Sequence, residues 1–334
     1  MDFFVGNIFK YGVFSSKIRL EASSVCQLKC PECPQASGDM GIIGRGNLKY
    51  EDFTGFVDTC PGIKNIEISN WGEIFLNPEL GDIIRYAYEK GIKLTAENGV
   101  NLNTADDNIL EDLVKYGFRA LYVSLDGATA ATYEMYRRGG DFDKVIGNIR
   151  KINFLKKKYD SNYPVLTWQF IVFGHNEHEI PAARSMADGL NMKFKPKLNA
   201  HPDFSPVIDK DLVKKEIGMV SRDEYASELN KLYMFPCYQF WFSPMINWDG
   251  RLLGCCMNIW KDFGNVFKSG LKKCVGSEEY RYTRKMLLGR EKLRDDTPCF
   301  YCPIYKEVEK LTSNALCPEF RFMVQILSKR FRSF

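Results

Sequence analysis

The sequence predicts an α/β protein on a parallel sheet, followed by a small cysteine-rich domain, and three observations lead there. Residues 18 to about 196 alternate short β-like runs with amphipathic helical runs, the signature of successive βα units. Eleven cysteines cluster at short spacings, the first group directly after the first strand-like run. From Cys237 onward cysteines, aromatics and Gly turns take over. With 334 residues, 45% of them hydrophobic, the chain is long enough for one large domain and a small one.

The strand-like runs are IRLEAS (18–23), NIEIS (65–69), KLTAE (93–97), ALYVSL (120–125), VLTWQFIVF (165–173) and MKFKPKL (192–198). The first five are rich in Val, Ile, Leu, Thr or aromatic residues. Between them PELGDIIRYAYEKG (78–91), NILEDLVKYGF (108–118) and FDKVIGNIRKINFLKKKY (142–159) carry apolar residues at helical spacing. Asn77 before Pro78 predicts an N-cap with proline in the first turn. Six such units make an incomplete barrel or an open parallel sheet, with the chemistry expected in loops at the carboxyl ends of the strands.

The barrel is expected over 1–198 and a connector over 199–236, with a helical piece near SRDEYASELNKLY (221–233). A metal-organised domain over 237–303 carries an Asp-Gly hairpin signal at WDGR (248–251), and a helical tail follows over 304–334. The formal charge of +4 gives little pull toward nucleic acid. No apolar run approaches the length of a membrane span. The start, MDFFVGNIFKYGVF, lacks the basic residues and cleavage site of a signal peptide. The end, FRFMVQILSKRFRSF, reads as a helix packing its apolar face on its own domain, with an anionic membrane surface as the alternative. A cytoplasmic location is expected, and there cysteine groups ligate metals more often than they form disulfides.

CQLKCPEC puts Cys26, Cys30 and Cys33 within eight residues on a loop. Three thiolates can hold three irons of a cubane and leave the fourth open. A zinc site needs a fourth ligand, and none of the three histidines is close in sequence. Zinc completed by a distant residue, or buried free thiols, are the alternatives.

A CxxxCxxC segment after the first strand of a partial (β/α)6 barrel resembles the radical S-adenosylmethionine (SAM) superfamily. The resemblance implies a 4Fe–4S cluster whose open iron is chelated by SAM. It also implies reductive cleavage of SAM to a deoxyadenosyl radical that abstracts a hydrogen atom from substrate. Further segments fall one per strand end. Asn70-Trp71-Gly72-Glu73 resembles the GGE motif at the SAM amino group, with Glu73 as acceptor of ammonium hydrogen bonds. Glu97-Asn98-Gly99 is similar to the ribose-contacting segment, and GHNEHEI (174–180) to the adenine-side motif. Ser124-Leu125-Asp126-Gly127 with TYEMYRRGGDF (132–142) looks like the branch with C-terminal cluster domains. Trp71, Gly72, Glu73, Asn98, Ser124 and Gln169 are the implied cofactor contacts. Glu32 departs from the pattern, since the family usually has an aromatic residue there.

Cys237, Cys255, Cys299 and Cys302, with a Gly-Asn turn in GNVFKSG (264–270), resemble a SPASM domain. The likeness is to the shortened twitch form of 2-deoxy-scyllo-inosamine dehydrogenase-like enzymes, and it implies one auxiliary 4Fe–4S cluster. Cys256 is a possible substitute for Cys255. Structural zinc on the same four ligands is the alternative.

The expected chemistry is dehydrogenation of a small sugar or aminocyclitol alcohol, with the auxiliary cluster as electron acceptor. Candidate polar groups near the radical are Ser124, Asp126, Arg137 and Gln169. Cys256 or Cys274 would be the hydrogen donor of a radical epimerase. Peptide maturation is a third outcome and a non-catalytic zinc or cluster module a fourth. Because the chain begins almost directly with the barrel, a small-molecule substrate is expected over a peptide. A flavodoxin or ferredoxin would supply electrons. Cys60 and Cys317 read as small buried apolar residues.

Overall fold

The computed structural model describes residues 16–229 and 231–313. Six parallel strands follow in chain order: β1 Lys17–Leu20, β2 Asn65–Glu67, β3 Lys93–Val100, β4 Ala120–Ser124, β5 Val165–Val172 and β6 Lys193–Leu198. A seventh, β7 Met245–Ile246, comes from the cysteine-rich part of the chain and pairs in parallel with β1. The sheet order is β6-β5-β4-β3-β2-β1-β7. All six expected strands form, and the small domain adds a seventh.

Alternation along the strands sorts the residues by face. Ile18, Leu20, Ile66, Ile68, Leu94, Leu121, Val123, Leu166 and Trp168 join helix residues such as Phe53, Ile84, Leu110, Ile149 and Ala183 in one core. Each fully buried aliphatic or aromatic side chain contributes roughly 1.5–3 kcal/mol. The helices Leu80–Glu89, Asp107–Lys115 and Phe142–Lys158 cover this face. Asp106 caps the second through Ile109 N and Asp141 caps the third through Lys144 N, each worth about 1 kcal/mol. The opposite, inner face of the sheet is polar.

Two boundaries move for physical reasons. The first helix starts at Leu80 and not at Pro78. The Asn77 amide donates to Ala22 O and Leu48 O, both at 2.9 Å, while its oxygen accepts from Glu79 N, so it ties three segments together just ahead of the helix. β3 runs on past Glu97 through a register shift between Ala96 and Val100. Gly99 permits this: its φ is +130°, and a Cβ would stand 2.5 Å from Ser124 Oγ.

The connector holds two helices, Lys210–Ile217 and Arg222–Leu229. The hairpin signal at 248–251 closes through Asn247 N to Arg251 O at 2.9 Å. The C-terminal part also docks on the loop that follows the first cysteines. Ile42 N donates to Ile259 O at 2.9 Å, and Asn247 Nδ2 and Trp248 Nε1 both donate to Ile43 O at 3.0 Å. Helix Pro303–Ser313 begins the expected tail. The terminal segment 320–334, Cys317 and the first fifteen residues lie outside the described residues. No helix among the described residues is long and apolar enough to cross a membrane.

Candidate active site

Cys26, Cys30 and Cys33 sit on the loop between β1 and a short helical turn, Pro34–Ser37. Their thiols are free and near enough to repel one another as thiolates. They pack with Leu28, Tyr136, Ile171, Phe173 and Phe204, at the carboxyl ends of β1, β4 and β5. Burial pushes the Cys26 thiol up to about 12, and the Glu73 carboxylate adds to this. Burial raises Cys30 as well, against the pull of Arg137. Buried thiols of this kind ionise only when a metal replaces the proton.

The second set gathers likewise. Cys237, Cys255, Cys299 and Cys302 line one hollow together with Pro236, Phe240 and Tyr305. Burial raises all four thiols, and mutual repulsion adds to it for Cys237, Cys255 and Cys299. The sulfurs ring a hollow and do not close on a point. Among the described residues no three His, Cys, Asp or Glu side chains come together as ligands of a single ion. Soft sulfur donors in apolar surroundings fit an iron–sulfur cluster at both places.

Of the adjacent cysteines 255 and 256, Cys255 lines the hollow. Cys256 lies within electrostatic reach of Cys237, Cys255 and Cys302 on one side and of Arg19 and Glu21 on the other. Gln239 fixes it, accepting from its N at 2.7 Å and donating to its sulfur at 3.5 Å. Its carbonyl accepts from Asn70 Nδ2, and Asn70 Oδ1 accepts from Asn98 Nδ2. Cys274 is elsewhere: it is buried in helix Leu271–Val275 beside Gly264, Asp262 and Lys273. Its burial there suits a small apolar packing role.

Asp126 and Arg137 pair with each other. Asp126 is fully buried, and its Oδ2 accepts from Arg137 Nε at 2.6 Å. Its Oδ1 accepts from Ile171 N at 2.6 Å. Burial works against the Arg137 charge, and Asp126 and Cys30 overcome it and hold the guanidinium protonated. Arg137 Nη1 lies 3.8 Å from Cys30 Sγ. The pair braces the cysteine loop.

The motif at 70–73 does structural work as well. Trp71 N and Gly72 N donate to the carboxyl of Glu21. The Trp71 ring packs against Met40, Ile43, Met245 and Leu253. A Cβ on Gly72 would lie 2.3 Å from Ser23 O, so only glycine lets this turn meet the start of the cysteine loop. Glu73 accepts from Asn101 N at 2.6 Å and from Phe75 N at 3.3 Å. These two backbone bonds fix the carboxylate in place and leave a lone pair on each oxygen. Asn98 N donates to Ser69 Oγ. Ser124 and Gln169 are register partners on the inner face, where Gln169 Oε1 is a buried acceptor without a partner. Glu32, at the departing position, pairs with His201 at 3.3 Å. Tyr136, Phe173, His175 and Phe204 form an aromatic cluster beside the cysteines.

The sequence reading missed Arg19 and Glu21. Their signal was the alternation Arg-Leu-Glu in a strand whose other face is apolar. Burial raises Glu21 to about 8, so the folded protein keeps a proton that the unfolded chain releases above about 4.5. Unfolding free energy should therefore fall as pH rises from about 4.5 to about 8, by up to about 1.4 kcal/mol per pH unit. Glu21→Gln mimics the protonated acid, and urea titrations of this variant should show a flatter profile and a gain at pH 8.

The sequence pattern of the Radical SAM superfamily matches residues 20–186, half of the chain. The chain belongs to the radical SAM superfamily. An iron–sulfur cluster-binding SPASM domain matches residues 237–303. This radical SAM protein accordingly uses SAM with a 4Fe–4S cluster and carries auxiliary iron–sulfur binding.

It is 31% identical over 142 residues to the AdoMet-dependent heme synthase of Methanosarcina barkeri, covering 41% of this chain and 40% of that one. It is 27% identical over 186 residues to a probable GTP 3',8-cyclase of Methanocaldococcus jannaschii, covering 52% and 55%. The chain thus spans about half, or less, of the length of these relatives. Among solved structures, Streptococcus suis SuiB bound to S-adenosylmethionine superposes with a TM-score of 0.62 at 14% identity, over 91% of this chain and 75% of SuiB. anSMEcpe with bound AdoMet gives 0.57 at 14% identity, over 86% of each chain. These two likenesses are of fold.

Proposed function

We propose that this radical SAM protein is an oxidoreductase that dehydrogenates a small polar alcohol, with Cys26, Cys30 and Cys33 holding the SAM-binding cluster and Cys237, Cys255, Cys299 and Cys302 one auxiliary cluster. When bound, these groups supply a hydrogen-atom abstractor that ends as 5'-deoxyadenosine and an acceptor for the electron the substrate then releases, its proton going to a base. The observation that carries the reading is the β1–β7 pairing, which joins the domain of the second cysteine set to the strand that leads into the first. The inner face between them is polar and suits a hydroxylated molecule. Ser124 and Gln169 orient ligands there, and Asp126 with Arg137 holds the cysteine loop in position.

A second reading, radical epimerisation, is favoured by Cys256, whose thiol lies within electrostatic reach of Arg19 and Glu21. Anaerobic reconstitution, followed by incubation with deuterated candidate alcohols and dithionite, tests both. Dehydrogenation moves deuterium into 5'-deoxyadenosine and yields a product lighter by a hydrogen pair. Zinc uptake with SAM left intact would overturn the enzyme reading. Cys256→Ala is expected to keep SAM cleavage and dehydrogenation within about threefold, as for a group that does not take part in the step. Loss of turnover with cleavage retained would move the assignment to epimerase. Cys255→Ala should lower iron from about eight to about four per chain.

A further inference from the structure

The inner face of the sheet is divided by charge. On the β1–β3 half acids stand beside the cations, Arg19 within electrostatic reach of Glu21. Lys17 pairs with Glu97 at 3.2 Å. Glu67 accepts from Ser69 and from the backbone of Glu97. Glu21 accepts from Trp71 N and holds its proton up to about 8.

On the β6 half the cations are not matched. Thr167, Gln169 and Ile171 of β5 stand in register with Lys193, Lys195 and Lys197, so three lysines follow one another down the inner face of the edge strand. None of the three forms an ion pair among the described residues; Lys195 only lies over the Tyr122 ring, 4.6 Å from its centroid. Arg222, whose Nε donates to Leu198 O, stands at the carboxyl end of the same strand. The one acid nearby, Asp126, is taken by Arg137.

Lys193 and Lys195 are exposed and would need no explanation alone; Lys197 is half-buried between them and Arg222. Burial, then Lys195, lowers it to about 8. An ammonium group half-buried among other cations is unfavourable unless a ligand supplies the charge.

We propose that Lys193, Lys195 and Lys197 form the anchor for a phosphate group of the substrate. The inference rests on the enzyme reading above for the word substrate and deepens it to a phosphorylated small molecule. Three lysines and no acid suit a dianion. Ammonium groups act as point charges on phosphate, whereas planar carboxylate is matched best by the fork of arginine. The same wall repels a free amine, so an unmodified aminocyclitol is a poor fit.

The test uses the full chain, anaerobically reconstituted, with inorganic pyrophosphate as probe in titration calorimetry at fixed salt. Citrate and a neutral disaccharide serve as comparison ligands, and Lys210→Gln as a surface control. Pyrophosphate should bind more tightly than citrate, and the disaccharide should not bind measurably. Lys195→Gln/Lys197→Gln should weaken pyrophosphate at least about tenfold, with Lys210→Gln unchanged. Iron content and SAM cleavage without substrate should be normal in the double variant. Equal pyrophosphate affinity in the double variant, or disaccharide binding as tight as pyrophosphate, would overturn the anchor. Citrate binding tighter than pyrophosphate would overturn the phosphate assignment. Lysine-dependent pyrophosphate binding in a protein that loads clusters but never cleaves SAM would leave the anchor standing and sink the enzyme reading.

Discussion

Cys30→Ala is expected to bring reductive SAM cleavage down to background, a loss on the order of 10³-fold or more, read as 5'-deoxyadenosine formed with dithionite. Cys30 is the most enclosed of the three loop cysteines, with Leu28, Tyr136 and Phe173 around it. Its position is over-determined: Lys29 N donates to Arg138 O, Cys33 N donates to Cys30 O, and Arg137 reaches its sulfur. Removing the sulfur leaves that scaffold standing, so the variant should fold and still retain the auxiliary iron. Cys299→Ala makes the contrast, because its thiol belongs to the other hollow. SAM cleavage should persist there while substrate turnover stops. Equal loss of cleavage in both variants would contradict the division of the seven cysteines into two sets.

Arg137→Ala is expected to destabilise the fold by about 3–5 kcal/mol, measured by urea unfolding of the apoprotein. The deletion strands the Asp126 carboxylate in a fully buried position with only Ile171 N as a close donor. Most of the loss is the isolated charge and little of it the missing contact. Asp126→Asn combined with Arg137→Met should therefore recover a good part of it, since a neutral amide still accepts from Ile171 N and an aliphatic stem still fills the space. A double variant no better than Arg137→Ala would show that the guanidinium matters through Cys30 and not through Asp126.

Much of the fold was legible because its strands are long enough to carry period-two alternation and its helices long enough to carry a stripe. VLTWQFIVF and FDKVIGNIRKINFLKKKY left little choice. β7 escaped because two residues hold no periodicity, and its place in the sheet depends on a partner more than two hundred positions away. The cysteine spacings carried both sulfur sites. They did not carry which of two adjacent thiols faces which side, since that depends on the hairpin that precedes them. The pairing of Asp126 with Arg137 was not legible: a charged residue at a strand end looks the same whether it meets substrate or another side chain. Trp71 stands where the GGE motif has a glycine, and its ring packs against Met245, a partner far away in the sequence. The lysines of MKFKPKL were visible as alternation, but only the sheet register showed which groups they face.

The pairing of β1 with β7 has a consequence for biogenesis. Until residues 245–246 have left the ribosome, the strand leading into the first cysteine loop is an unprotected edge with unpaired amides, open to non-native strand addition. Closing it is a long-range event of the slow kind. Maturation of the two halves is thereby made sequential: iron delivered during synthesis would meet a half-built cradle, and the timing of translation becomes part of how the protein acquires its metal.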